Sequence, residues 1–346
     1  MQLFYYETIM DFSTLTVVRP PEVNSSWSLE DHLGTLRVRF SIGRNRYRVK
    51  PGLYRLGRPG KDSEVIVTAN YKLSFDQVRR SLSGLNAWIL VLETYGINVW
   101  CAAGKGTFGS DELIRQVRET QLTLYVSHRR LIVPQLGAPG VSAQKVKEAS
   151  GFSVRFGPVR SEDIKEYISA NYKKDEAART VKFEFKDRLI LTAVELANSL
   201  RYLFVAFILL LLLSGIHSEG YSFVLMWKAG LNSGLYLLAA YISGAFLAPL
   251  LLPFLPFRHF AGKGLVAGLF VFAFIMLFGR TDISILSSLA WFLISGAISS
   301  YLTMNFTGAS TYTSLSGVRK EMGIFVPIQI VFALSGLVLI IISNLL

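Results

Sequence analysis

From residue 187 onward the chain gives water almost nothing to solvate. Five apolar runs, near 196–216, 231–255, 262–279, 283–303 and 323–345, have the roughly 17–25 residues that a helix needs to cross a bilayer. That feature excludes a single globular core and predicts an all-α transmembrane domain over 187–346, with the lipid bilayer as a partner. The mean hydropathy of +0.40 therefore averages two unlike halves. Arg201 can snorkel from the first run, and Phe223–Trp227 fits either a loop or an extension of the second.

Charge orients the five spans. Arg258 with Lys263, and Arg319 with Lys320, fall in loops on the side of the N-terminal half, whereas Lys228 and Arg280 fall on the other. Positive loops stay inside, so the expectation is a multi-pass protein of the cytoplasmic membrane with its N-terminal half in the cytoplasm and its C-terminus outside. The first residues, Met1 to Glu7, lack the charged and apolar regions of a signal peptide, which agrees with that orientation. A net charge of +12 suits a domain held against an anionic leaflet; the basic residues are scattered without a binding motif, so no nucleic acid is expected. The segment Asn305–Ser316 carries Thr307, Ser310, Thr311, Thr313, Ser314 and Ser316 and reads as a polar cytoplasmic connection.

Residues 1–35 read as an irregular N-terminal segment and 36–186 as an α/β domain. Alternation in Leu36–Phe40 and Arg46–Val49 around Gly43-Arg44-Asn45 predicts a hairpin. Strands are expected at 65–68, 86–93, 122–126 and 152–156, and helices at 74–82, 111–119 (capped by Ser110), 142–149 and 161–172. Such alternation predicts an open parallel sheet, which binds ligands beyond the carboxyl ends of its strands. The turn after strand 86–93, the loop 134–140 and the Gly157-Pro158 turn would share that edge.

The first of these turns holds Cys101, the sole cysteine of 346 residues. One cysteine excludes an internal disulfide and an iron–sulfur cluster. Asn98 is a good N-cap for a short helical turn ended by Gly104, which puts Cys101 near the positive end of its dipole and near Lys105. A cysteine so placed is either a metal ligand or nucleophile, or a small buried hydrophobe. The run Gly104-Lys105-Gly106-Thr107-Phe108-Gly109 is literally GxGxxG, which keeps an NADP-binding oxidoreductase open as an alternative. Against it, ten residues separate Thr94 from Gly104, and the next expected strand ends in Ser127-His128-Arg129-Arg130 with no acid for a ribose. There is no GxxxxGK[ST], and His32, His128, His217 and His259 lack metal-ligand spacing.

The octapeptide Asn98-Val99-Trp100-Cys101-Ala102-Ala103-Gly104-Lys105 resembles the signature of the HgcA family, membrane-bound corrinoid proteins of microbial mercury methylation. The likeness continues through Gly106–Gly109, His128–Val141, Ser150–Phe152 and Gly157–Arg160, and so covers most of residues 60–190. More broadly, this half resembles the corrinoid domain of corrinoid iron–sulfur proteins. The resemblance implies a corrinoid-dependent methyltransferase that passes a methyl group from cobalt to Hg(II), with cobalamin as cofactor and Cys101 as lower axial cobalt ligand. Nothing in the chain matches the Asp-x-His-x-x-Gly motif that offers histidine to cobalt in other corrinoid proteins. A soft thiolate opposite the methyl favours its departure with the electron pair towards soft Hg(II). By the same resemblance, Asn98, Val99, Trp100, Ala102, Ala103, Gly104, Lys105, Gly106 and Thr107 form the corrin surface, with Gln135, Gly137 and Ala138 from the neighbouring loop. Remethylation would need two electrons, which implies a ferredoxin-like iron–sulfur partner of the HgcB type, and a methyl donor protein or methyl-folate pathway. A methyl carrier with another acceptor is the alternative within the same family chemistry.

Overall fold

The computed structural model describes residues 19–279, 283–309 and 315–346. The chain forms two compact units: one comprises residues up to His32 together with Asn45–Thr180, the other Leu33–Arg44 together with Val181–Leu346.

The first unit is built on a mixed, mostly parallel sheet. Its strands are β1 (Glu22–Val23), β2 (Gly52–Leu56), β3 (Val65–Ala69), β4 (Ala87–Leu92), β5 (Arg130–Val133) and β6 (Ser153–Phe156), in the order β1-β2-β4-β3-β5-β6. β2 runs antiparallel to β4, and the other neighbours are parallel. β4, apolar throughout, and β3, apolar but for Thr68, are buried along their whole length, as inner strands covered on both faces must be. Because side chains alternate across a strand, Val65 and Val67 face one core with Leu90, Leu131 and Val133, while Ile66 faces the other with Ile89 and Ile132. Helices α3 (Val99–Lys105), α4 (Ser110–Glu119) and α5 (Ala143–Ser150) close the first core; α2 (Lys72–Ser81) and α6 (Ile164–Ser169) close the second.

Three expectations are corrected. The hairpin over 36–49 is instead helix α1 (Leu29–Arg39) followed by a tight turn at Arg44–Arg46. Five alternating residues are too few to fix a strand. The stronger signal lies upstream, where Ser28 Oγ accepts from the Asp31 amide at 3.2 Å and the Asp31 carboxylate accepts from the Ser28 amide at 2.9 Å. The strand placed at 122–126 is a 3₁₀ turn at Leu122–Leu124, and the sheet instead recruits Arg130–Val133, whose last three residues are buried. Helix α4 is capped by Gly109, not Ser110, and the Ser110 hydroxyl accepts from the Ser142 amide at 2.8 Å.

The second unit carries the five expected helices, each long and apolar enough to cross a membrane. They are α7 (Phe185–Leu213), α8 (Phe223–Ile242) continued through a π turn (Ser243–Leu247) into α9 (Ala248–Leu250), α10 (Phe260–Phe278), α11 (Ile285–Asn305) and α12 (Leu315–Leu345). A short hairpin of β7 (Ile216–His217) and β8 (Gly220–Tyr221) joins α7 to α8, and Phe223–Trp227 belongs to the helix. Pro249 lacks an amide proton and crowds the preceding turn, which accounts for the π turn just before it. Small residues let α11 touch its neighbours: Ser299 Oγ donates to the Gly264 carbonyl of α10 at 2.6 Å, and Thr303 Oγ1 to the Gly244 carbonyl of the π turn at 3.0 Å. Arg280 and the hydroxyls of Ser310, Thr311, Thr313 and Ser314 lie outside the described residues; Thr307 is buried and donates to the Met304 carbonyl.

Candidate functional site: the cysteine helix at the sheet edge

β3, β4, β5 and β6 run parallel, so the segments that follow them emerge on one edge. The chain passes from β3 to β4 on one side and then from β4 back across β3 to β5 on the other, so the connections diverge at the end of β3, the switch point of the sheet. The residue after β3 is Asn70, fully buried. Its Oδ1 accepts from the Thr94 amide at 3.1 Å and the Gly96 amide at 3.0 Å, and its Nδ2 donates to Glu93 Oε1 at 2.6 Å. Glu93 Oε1 also takes the Tyr95 amide at 2.7 Å, and Glu112 Oε1 on α4 takes the Glu93 amide at 2.7 Å. These bonds hold Tyr95 and Gly96 in left-handed conformations, φ +57° and +74°, and turn the chain into α3.

α3 starts as the spacing predicts: Asn98 is extended and its side chain accepts from the Cys101 amide at 2.9 Å. It ends one half-turn later than expected. The left-handed cap is Gly106, φ +80°, not Gly104, which lies inside the helix. At about 100° per residue, Val99, Ala102 and Ala103 share the inner face, and all three are buried. Trp100, Cys101, Gly104 and Lys105 share the outer face and are exposed. Cys101 is thus a free, exposed thiol rather than a small core residue. A Cβ added at Gly104 or Gly106 would meet nothing within 4 Å, so the surface beside the sulfur is open on that side.

The loop after β5 abuts this helix from the next strand. A Cβ at Gly140 would come within 2.2 Å of the Phe108 carbonyl oxygen, and one at Gly137 within 2.4 Å of the Phe108 ring. These glycines allow backbone to press on the α3–α4 joint. Ala138 is half-buried beside them, and Gln135 accepts a hydrogen bond from Lys174. Lys174 also donates to the Gly157 carbonyl at 2.8 Å, so one amine ties the segments after β5 and β6 together. Its burial, and next the charge of Arg179, lowers the Lys174 pKa. On the other flank, a hollow of about 730 Å³ is lined by Tyr95, Gly106, Thr107, Glu112, Arg115 and others. Arg115 is held charged by its bidentate bond to Glu112 at 2.7 and 2.9 Å.

The glycines of the GxGxxG run therefore do different jobs. Gly104 is inside α3, Gly106 caps it, and Gly109 starts α4, so the run joins two helices instead of forming one strand-to-helix turn. Among the described residues, no group of three or more His, Cys, Asp or Glu side chains could hold a bare metal ion. Sequence reasoning missed Asn70, Glu112 and Lys174. The available signal for Asn70 was a lone amide directly after a buried apolar strand, where a carboxyl-edge ligand site begins.

Residues 26–168 match the family model described as CO dehydrogenase/acetyl-CoA synthase delta subunit. The chain is 30% identical over 179 residues to the acetyl-CoA decarbonylase/synthase complex subunit gamma of Archaeoglobus fulgidus, covering 50% of this chain and 37% of that protein. It is 30% identical over 144 residues to the subunit gamma of Methanopyrus kandleri (41% and 31% covered), and 27% over 150 residues to that of Methanocaldococcus jannaschii (43% and 30%). The chain thus spans about a third of the length of these curated relatives. The stretch matched by the family model takes in β2 to β6 and the cysteine helix and ends before the membrane-length helices begin at Phe185.

Proposed function

We propose that this chain is a membrane-anchored corrinoid protein in which the Cys101 sulfur would hold the cobalt, and that it methylates Hg(II). The observation that carries the reading is the exposed Cys101 thiol on the open face of α3, within a unit similar to carbon-monoxide dehydrogenase/acetyl-CoA synthase subunits. A single sulfur donor cannot hold a bare cation well, but it suits a metal that arrives already ringed by a macrocycle. The corrinoid, when bound, supplies a cobalt-borne methyl group for transfer.

The other roles belong to the chain. Asn98 fixes the first turn of α3 and so the direction of the Cys101 side chain. Asn70 and Glu112 fix the turn that feeds it. Gly104 keeps the surface flat enough for a broad ring to reach the sulfur, and the exposed rings of Trp100 and Tyr95 offer apolar area beside it. Lys105, on the same face, is placed to meet a corrin amide. The Cys101 sulfur would be a soft donor to the cobalt, and Hg(II) is the soft acceptor that best matches the methyl chemistry a corrinoid held there would supply. Val99, Ala102, Ala103, Thr107, Gln135, Gly137 and Ala138 back this surface. The five helices anchor the unit to the cytoplasmic membrane, with the corrinoid domain in the cytoplasm. An iron–sulfur reductant and a methyl donor are the expected partners.

A second reading keeps the cofactor and changes the acceptor: the relatives are named as subunits of a multi-protein complex, which favours a methyl carrier handing its group to a protein or metabolite. The test is methylmercury formation by the full chain supplied with reductant and methyl donor. Activity lost in Cys101→Ala, with corrinoid retained but transfer lost in Cys101→His, is expected. Full activity in Cys101→Ala ends the ligand assignment; corrinoid binding without methylmercury moves the chain to the second reading.

A further inference from the structure

Helix α1 (Leu29–Arg39) has two opposed faces. Thr35 and Val38 are buried, whereas Leu29, Leu33, Leu36 and Phe40 are 75, 52, 54 and 45% exposed. At about 100° per residue these four side chains fall within roughly 60° of arc, pointing away from the buried pair. Arg37, exposed, flanks the stripe on one side together with Glu30, and the half-buried Arg39 lies on the other; Arg46 and Arg48 follow as exposed cations. Leu33–Arg44 clusters with the membrane-length helices and not with the α/β unit.

We propose that α1 lies in the headgroup layer of the bilayer, its leucine stripe immersed and its arginines on anionic phosphates. An exposed apolar stripe costs about 25 cal/mol for each Å² left in water, which burial in lipid recovers. A stripe edged by basic residues is the pattern of an interfacial helix. A protein groove would match the leucines equally well, but not the exposed cations Arg37, Arg46 and Arg48 that accompany them. The helix is therefore a surface anchor in addition to the five spans, and it rests on the reading that those helices cross a membrane.

The test labels the full chain, in a Cys101→Ser background, with an environment-sensitive fluorophore at Leu33→Cys, Leu36→Cys, Glu30→Cys or Leu334→Cys, reconstituted in phosphatidylglycerol-containing vesicles. The expected result is strong quenching at 33 and 36 by lipids bearing a nitroxide near the headgroup, with iodide reaching only position 30. Replacing Arg37 by glutamine should lower the lipid–water partition of the label at 33 about fivefold. Equal iodide access at 30 and 33 would overturn the proposal. So would shielding of 33 from both iodide and lipid nitroxide, which would mean that protein covers the stripe. Leu334, exposed on α12, reports the span itself by quenching with a deep nitroxide. Quenching there without quenching at 33 sinks the interfacial helix alone; its absence there sinks the membrane reading first.

Discussion

Two glycines inside helices show how the units differ. A Cβ at Gly268 on α10 would sit 2.5 Å from Ser299 Cβ and 2.8 Å from the Ser295 carbonyl, whereas one at Gly104 on α3 would meet nothing within 4 Å. The helical unit uses its small residues to bring helix against helix, and its hydroxyls bond inward to backbone carbonyls. The α/β unit spends buried polar groups such as Asn70 on shaping one turn, and leaves sulfur, glycine and tryptophan facing out. Closed packing in one unit and an open face in the other fit an anchor and a binding surface respectively.

The sharpest way to break this contrast is Gly268→Leu. With backbone on the clashing side, it should cost about 3 kcal/mol or more and lower the thermal stability of the detergent-solubilised chain. An unaffected melting temperature would mean that α10 and α11 are not packed as described. Asn70→Ala comes next. It leaves the Thr94 and Gly96 amides without their acceptor, at roughly 1–3 kcal/mol for each buried group, and should raise hydrogen exchange over 94–101 without unfolding the sheet.

A graded loss should accompany acidification. Burial alone would raise the Asp31 carboxyl, but hydrogen bonds from Lys72, Ser28 and Arg79 outweigh it and hold the pKa well below the ordinary range. A depressed carboxylate stabilises the fold above its unfolded pKa, near 4, and that stability is lost as pH falls from there towards the folded value. Asp31→Asn should flatten this acid limb in pH-dependent unfolding. The smallest effect discriminates best. Gly104→Ala removes a helix-interior glycine and should stabilise α3 by up to about 1 kcal/mol, yet weaken corrinoid binding by placing a methyl beside the sulfur. Parallel changes in stability and binding would deny the open face its role.

The parts that were legible in the sequence were those fixed by local chemistry. The apolar runs of β3 and β4, the Asn98 cap and the five long helices each carry their own signal. The parts that were not depend on distant partners. Arg130–Val133 becomes a strand because β3 and β6 flank it, while Leu122 and Val126 merely cap the same core. Alternation at Leu36–Phe40 hid the helix that the Ser28–Asp31 capping box starts. The Gly104 cap was displaced to Gly106 because the last turn of α3 runs on over Ala103. Lys174 acts across loops distant in sequence, so no local pattern names it.

Cobalt ligation by Cys101 can be read from the cobalt content and absorption spectrum of the full chain reconstituted with cobalamin, wild type against Cys101→Ala. Stoichiometric cobalt in the wild type is expected, with a spectrum that changes when the sulfur is removed. A wild type that binds no cobalt, or one whose spectrum is identical to that of Cys101→Ala, would contradict it.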